Sequence, residues 1–225
     1  SQRLLVGRGG RGGRGNSSFA TSTNRAPRNS EDGALGECRK LRLELRLLAN
    51  VGLVGFPNAG KSTFISRVSA ARPKIADYPF TTISPQLGVV EVGDQSSFVL
   101  ADVPGLVPGA SAGVGLGHRF LKHLSRTGCL LYFIDVSEAS EREPVEDLRT
   151  LLNEVEAYGE SVSQKPAAVG ANKIDILQDD RRLLSLQDAA KRLKLPFFSV
   201  SAVTGKGCQD MVEVLYRQFV YSEVM

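Results

Sequence analysis

From about residue 47 onward, short unbroken apolar runs alternate with longer stretches in which apolar residues recur every third or fourth position. The short runs suit strands buried on both faces, and the longer spacing suits helices packed along one side. Residues 47–54 predict a first strand, and residues 61–70 a helix with Phe64, Ile65 and Val68 on one side. Residues 87–92 and 97–102 predict two strands joined at Gly93-Asp94, and residues 129–136 a central parallel strand. A helix over 144–158, a strand over 167–171, a helix over 179–193, a strand over 196–201 and a closing helix over 208–221 follow. Such alternation implies an α/β fold, a mostly parallel sheet with helices on both faces. Ligands of such folds sit at the carboxyl ends of the strands.

The first 48 residues lack that rhythm. Residues 7–15 repeat glycine and arginine without side chains that could form a core. Two readings are open: a disordered cationic RNA-binding tail, or extended polyproline-II-like strands that glycine lets pack closely. Residues 16–36 continue as irregular chain, and residues 38–45 alternate polar and apolar like a half-exposed strand. The expected division is a segment over 1–48 and a domain over 49–225, with the boundary near residues 46–50.

Charge sharpens this division. The net charge is +4, yet residues 1–50 carry nine Arg and one Lys against Glu31, Asp32, Glu37 and Glu44. The excess of positive charge therefore belongs to the arm, which points to a polyanionic partner for that part alone. Cys38, Cys129 and Cys208 are widely spaced and odd in number, which argues against a disulfide framework or zinc site and for a reducing compartment. No apolar run approaches the roughly 18 residues of a membrane span. The chain opens at Ser1, and with the basic arm this suggests a processed organellar protein, of the mitochondrial matrix or another organelle; the alternative is a bacterial cytoplasm.

Candidate chemistry gathers at predicted strand ends. Residues 55–63 read G-x-x-x-x-G-K-S-T between a strand and a helix. Glycines let the backbone approach a phosphate chain, and the helix N-terminus aims N–H groups and a positive dipole end at it. Gly55, Asn58, Ala59, Gly60, Lys61, Ser62 and Thr63 are the expected phosphate-binding residues, with Lys61 on the β- and γ-phosphates and Ser62 on Mg²⁺. Asp102-Val103-Pro104-Gly105 ends a strand 40 residues beyond Ser62. Asp102 would hold the metal through water, and the Gly105 N–H would meet the γ-phosphate. In the loop 76–85, a hydroxyl of Thr81 or Thr82, with Thr82 preferred, would complete the Mg²⁺ shell and order the loop. Lys61, Thr82 and Gly105 are the candidate catalytic residues; Ser62, Thr82 and Asp102 are the candidate metal ligands.

Asn172-Lys173-Ile174-Asp175 ends another strand. Asp175 can accept from N1–H and the 2-amino group of guanine, a pattern adenine lacks. Asn172 would brace the phosphate loop or base, and the Lys173 stem would lie along the ring. Ser201 and Ala202 complete the base pocket, with the Ala202 N–H aimed at the guanine 6-oxygen. Leu106 stands where many nucleotide hydrolases place a water-orienting glutamine. Either hydrolysis is simply slow, or Asn58 helps hold a monovalent cation such as K⁺ that stabilises developing charge. His118 and His123 lie five apart in a predicted helix over 117–126, a spacing that suits a surface or switch role rather than a metal pair.

Together these residues resemble the Obg family of GTPases over about residues 7–221. The resemblance is carried by Gly-Arg-Gly-Asn at 13–16, Thr-Asn-Arg-Ala-Pro at 23–27, and the stretches 52–63, 78–82, 101–106, 115–121 and 172–175. It implies a Ras-like P-loop GTPase domain preceded by a partial glycine-rich Obg-type segment of polyproline-II helices. It also implies Phe80, Thr81 and Thr82 beside the nucleotide, Thr82 on Mg²⁺, and GTP/GDP as ligand. The implied role is assembly of the large ribosomal subunit through contact with rRNA, as a monomer. Only the tail of the glycine-rich domain is present, and Pro108 replaces the acidic residue that family members carry in switch II. A different class of function competes: an RNA-binding placeholder that senses nucleotide with negligible turnover.

Overall fold

In a computed structural model the described residues are 4–41, 49–75, 86–93, 96–102 and 124–221. The chain divides into two compact units, Ser1–Leu45 and Arg46–Met225.

The second unit is built on a seven-stranded sheet. Its strands are β1 (Ala49–Val54), β2 (Lys74–Ile75), β3 (Gln86–Val92), β4 (Ser96–Asp102), β5 (Thr127–Asp135), β6 (Ala167–Asn172) and β7 (Phe197–Ser199). They lie in the order β2-β3-β4-β1-β5-β6-β7. From β4 through β7 every pairing is parallel, whereas β3 runs antiparallel to both β2 and β4. The central strand β5 shows why the sheet is covered twice. Leu130, Tyr132 and Ile134 enter one core and Cys129, Leu131 and Phe133 the other, all buried.

Helices α2 (Pro144–Tyr158), α3 (Glu160–Ser163) and α4 (Arg181–Arg192) supply Leu148, Leu151, Val162 and Leu186 to the first core. Helices α1 (Lys61–Val68) and α5 (Cys208–Leu215) supply Phe64, Ile65, Met211 and Leu215 to the second. Burial of side chains of this size stabilises by about 1.5–3 kcal/mol each, which makes the two cores the main driving force. Among the described residues no helix is long and apolar enough to cross a membrane.

The structure amends several sequence expectations. The two-residue strand β2 has no apolar signature of its own and exists by pairing with β3. The 144–158 helix forms as expected, but Gly159, at φ +125°, opens the further short helix α3. The closing helix is α-helical only to Leu215 and widens into a π-helical turn over Tyr216–Val220. Residues 38–41 are exposed and form no strand, since among the described residues no strand pairs with them. The rest of that expected strand, and residues 47–48, lie outside the described residues.

The first unit takes the polyproline-like reading rather than that of a disordered tail. Two extended segments run antiparallel and bond at every third residue. Arg14 N and Glu31 N exchange bonds with the opposite carbonyls at 3.0 and 2.9 Å, Ala34 N donates to Arg11 O at 2.8 Å, and Glu37 N to Arg8 O at 2.8 Å. A spacing of three residues is that of the polyproline-II helix, which has no internal hydrogen bonds and must find partners across the gap. Glycine is required on the inner edge. A Cβ on Gly10 would lie 1.8 Å from Ala34 O, and one on Gly13 would lie 2.4 Å from Glu31 O. Gly9 and Gly12, on the outer edge, have open space.

A matched pair of variants tests this packing. Gly10→Ala is expected to unpair the two segments, so that the amides of Ala34 and Glu37 lose protection from hydrogen exchange. Gly9→Ala should leave both protected. Equal protection in the two variants would refute the close approach.

Candidate nucleotide site

Every described candidate residue lies at the carboxyl edge of the parallel strands. β1 leads into the loop 55–60, β4 ends at Asp102, β6 ends at Asn172, and β7 precedes Ser201. A cavity of about 480 Å³ opens among them, lined by Asn58 and Gly60 to Thr63 on one side and by Asn172, Lys173, Asp175 and Ala202 on the other.

The loop's glycines are forced by contact. A Cβ on Gly55 would meet Phe133 O at 2.3 Å, and one on Gly60 (φ +93°) would meet Asn172 Nδ2 at 2.3 Å. Asn58 is also left-handed, at φ +63°. Such conformations cost free energy in non-glycine residues and gather at ligand sites. Gly60 N-caps α1, so the first helical amides, which have no intrahelical partners, face the cavity.

Lys61 is 8% exposed and folds back over the loop, its Nζ donating to Gly55 O at 3.0 Å and Phe56 O at 3.1 Å. Burial lowers its pKa, and the Asp102 charge opposes that shift only in part. Asp102 is also 8% exposed. Its Oδ2 accepts from Ser62 Oγ at 3.1 Å, and its Oδ1 stands 4.0 Å from Lys61 Nζ, buried and without a hydrogen-bond partner among the described residues. Burial raises the Asp102 pKa; the neighbouring Lys61 charge and the Ser62 hydrogen bond work against that rise.

A hydroxyl beside a carboxylate with one orphaned oxygen fits a hard divalent cation such as Mg²⁺, which takes oxygen ligands and accepts few from the protein. Among the described residues no cluster of three or more His, Cys, Asp and Glu could hold a metal by itself. The Ser62–Asp102 pair supplies two oxygen donors there.

At the other end, Asn172 is 2% exposed and joins two loops. Its Nδ2 donates to Ala59 O at 2.8 Å and its Oδ1 accepts from Ala202 N at 2.9 Å. The Ala202 N–H, the expected donor to a guanine 6-oxygen, lies at the cavity wall and meets the asparagine there. Ser201 is fully buried, and its Oγ accepts from Thr204 N at 3.0 Å to shape the turn. Asp175 lies exposed at the cavity in a 3₁₀ turn, with its carboxylate open to solvent.

Asp135 was missed from sequence. Its Oδ2 pairs with Lys173 Nζ at 2.5 Å, while its Oδ1 accepts from Ser137 N and Ser137 Oγ at 2.9 and 2.7 Å. It fixes a lysine whose backbone is left-handed, at φ +70°. The available signal was its position, a carboxylate at the end of the most apolar strand. Phe80, Thr81, Thr82, Gly105, Leu106, Pro108, His118 and His123 lie outside the described residues.

Comparison with known proteins decides what such a site belongs to. The model of the family described as 50S ribosome-binding GTPase matches residues 50–173, more than half of the chain, and the GTP1/OBG model matches residues 1–47. This chain belongs to the Obg family of GTPases. Its second unit is a Ras-like P-loop GTPase domain, preceded by an Obg-type segment.

Solved structures share the fold. An S. thermophilus NFeoB mutant bound to GDP is 18% identical, with TM-score 0.57 over 74% of this chain and 59% of that one. The G domain of the T. maritima FeoB iron transporter is 22% identical, with TM-score 0.55 over 74% of this chain and 96% of that one. The cytosolic domain of T. maritima FeoB in its GMPPNP form is 20% identical, with TM-score 0.57 over 74% and 62%. Most of these matched chains are longer, so this chain spans about 60% of their length.

Two measurements test the site. Asn172→Ala strands a buried carbonyl and a buried N–H, which should cost about 2–4 kcal/mol in urea unfolding of the nucleotide-free protein. A variant as stable as the parent would show the bridge to be idle.

The second concerns pH. Because Asp102 has a raised pKa when folded, the folded chain binds its proton more tightly than the unfolded chain does. That contribution to stability is complete below the ordinary aspartate value and is lost as pH rises through the raised one. In metal-free buffer Asp102→Asn should therefore be more stable than the parent at neutral pH. The difference should vanish as pH falls through that window, and a pH-independent difference would contradict the assignment.

Proposed function

We propose that this Obg-family member binds guanine nucleotides with Mg²⁺, hydrolyses GTP to GDP and phosphate, and acts in assembly of the large ribosomal subunit. The observation that carries the nucleotide part is the Ser62–Asp102 pair with its unpartnered carboxylate oxygen, beside a lysine folded onto its own loop. Ser62 and Asp102 would hold Mg²⁺, which would neutralise charge developing on the phosphates.

The chain's own groups do the rest. Lys61 exchanges two loop carbonyls for phosphate oxygens, a move favoured because a buried ammonium gains more from anions than from carbonyls. The helix α1 amides hold the phosphates, and Asp175 reads N1–H and the 2-amino group of guanine. Thr82 and Gly105 complete the γ-phosphate side. Leu106 cannot orient water, so the isolated chain should turn over slowly, on the order of 10⁻³ s⁻¹ or less, as unassisted small GTPases do. Asn58 beside the phosphates would hold K⁺ as a substitute for an arginine finger.

The ribosomal reading rests on the matched family's description and on the arm. Arg8, Arg11 and Arg14 are exposed and recur every third residue along an extended segment. Such a row suits an RNA phosphate backbone, where affinity is set largely by counterion release.

One experiment tests the assignment: GTP turnover of the full chain with and without large ribosomal subunits, in K⁺ and in Na⁺. Turnover should rise with subunits and with K⁺, and Asn58→Ala should remove the K⁺ effect. Binding to subunits without any rise would favour a placeholder factor instead. No binding at all would overturn the ribosomal role.

A further inference from the structure

Arg67 sits in the last turn of α1, outside every nucleotide-binding motif, yet it reaches 135 residues along the chain. Its Nε donates to Ala202 O at 3.2 Å, and its Nη2 donates to Val203 O. Its stem runs beneath the same loop, where a Cβ on Gly205 would lie 3.8 Å from Arg67 Cδ. The loop is a tight turn of its own, closed by Gly205 N to Ser201 O at 2.8 Å and Thr204 N to Ser201 Oγ at 3.0 Å. A guanidinium presents several donors in a fixed planar fork, so two successive carbonyls are held in orientation as well as in position.

The helix that carries Arg67 begins with the phosphate-binding residues Lys61 and Ser62. α1 is eight residues long, about 12 Å at the usual helical rise. It is anchored by Phe64 and Ile65, both fully buried. A rigid rod thus has the phosphate site at one end and a grip on the base loop at the other.

We infer that Arg67 is a positioning residue for guanine recognition, clamping the Ser201–Gly205 loop to the phosphate-binding helix so that base and phosphate are bound as one unit. The clamp acts through the Ala202 and Val203 carbonyls, in the loop whose Ala202 N–H the guanine reading assigns to the 6-oxygen, and it leaves Asp175, assigned to the 2-amino group, untouched. It rests on the guanine reading above. The role predicts a specific pattern. Loosening the loop weakens recognition of the 6-oxygen and speeds release, without changing the chemistry once GTP is in place.

The test uses the full chain, Arg67→Ala and Arg67→Lys, with three diphosphates: GDP, inosine diphosphate lacking the 2-amino group, and 6-thio-GDP altered only at the 6-position. In Arg67→Ala, GDP release measured by stopped flow should quicken about tenfold, and the preference for GDP over 6-thio-GDP should shrink. The preference for GDP over inosine diphosphate should be unchanged, as should kcat at saturating GTP. Arg67→Lys, with one point-like donor, should recover part of the release rate.

If both preferences and the release rate stay at parental values, the clamp is refuted while guanine recognition stands. If both preferences collapse together and kcat falls, Arg67 merely supports the fold and the inference is overturned. If the parent itself does not prefer GDP to inosine diphosphate, the base reading fails and takes the clamp with it.

Discussion

The site depends on one buried side chain, the carboxamide of Asn172. An amide offers two donors and an acceptor in a single plane, and here one of each is used to join loops that lie far apart in sequence. Donation to Ala59 O holds the phosphate loop, and acceptance from Ala202 N holds the base loop. The glycine at position 60 is part of the same constraint, because any Cβ there would occupy the amide nitrogen's place. In so buried a setting, breaking either bond leaves a partner poorly solvated, and that ties the two loops together.

Around this joint the site holds charge in unfavourable surroundings. Lys61 and Asp102 are both nearly buried, and each is shifted by burial toward its neutral form. Their separation of 4.0 Å gives attraction without a hydrogen bond. Asn58 and Lys173 add left-handed backbone at the same edge. A protein optimised for stability alone would remove these features. A site that must receive a nucleotide's phosphates gains from keeping a buried lysine, since anionic oxygens relieve it.

Much of this was legible in the chain because parallel sheets write their own signature. β5 and β6 are buried on both faces, so their runs are apolar throughout and their ends coincide with the first polar residues, Asp135 and Asn172. The loop glycines and the two polar boxes follow from the chemistry of a phosphate and a purine. What escaped was whatever depends on partners distant in sequence. β2 exists through β3, the role of Asp135 exists through Lys173, and the bond from Ala202 N to Asn172 spans 30 residues. The expected strand does not form over residues 38–41 for the complementary reason: among the described residues no strand pairs with them, and alternation alone satisfies no backbone groups.

The every-third-residue pairing of the arm carries an arithmetic of its own. In a β-ladder a slip of two residues restores the pattern of faces, and in an α-helix no short slip does so cleanly. Here the inner glycines and the bonded residues both return only after three. A slip of one residue brings either Arg or an outer glycine to the inner edge, and only a slip of three restores both the inner glycines and the bonded residues. Change in the arm's length is therefore quantised in triplets. A codon-by-codon history of insertions in this region would be expected to move in nines of nucleotides, while the loops of the second unit drift freely.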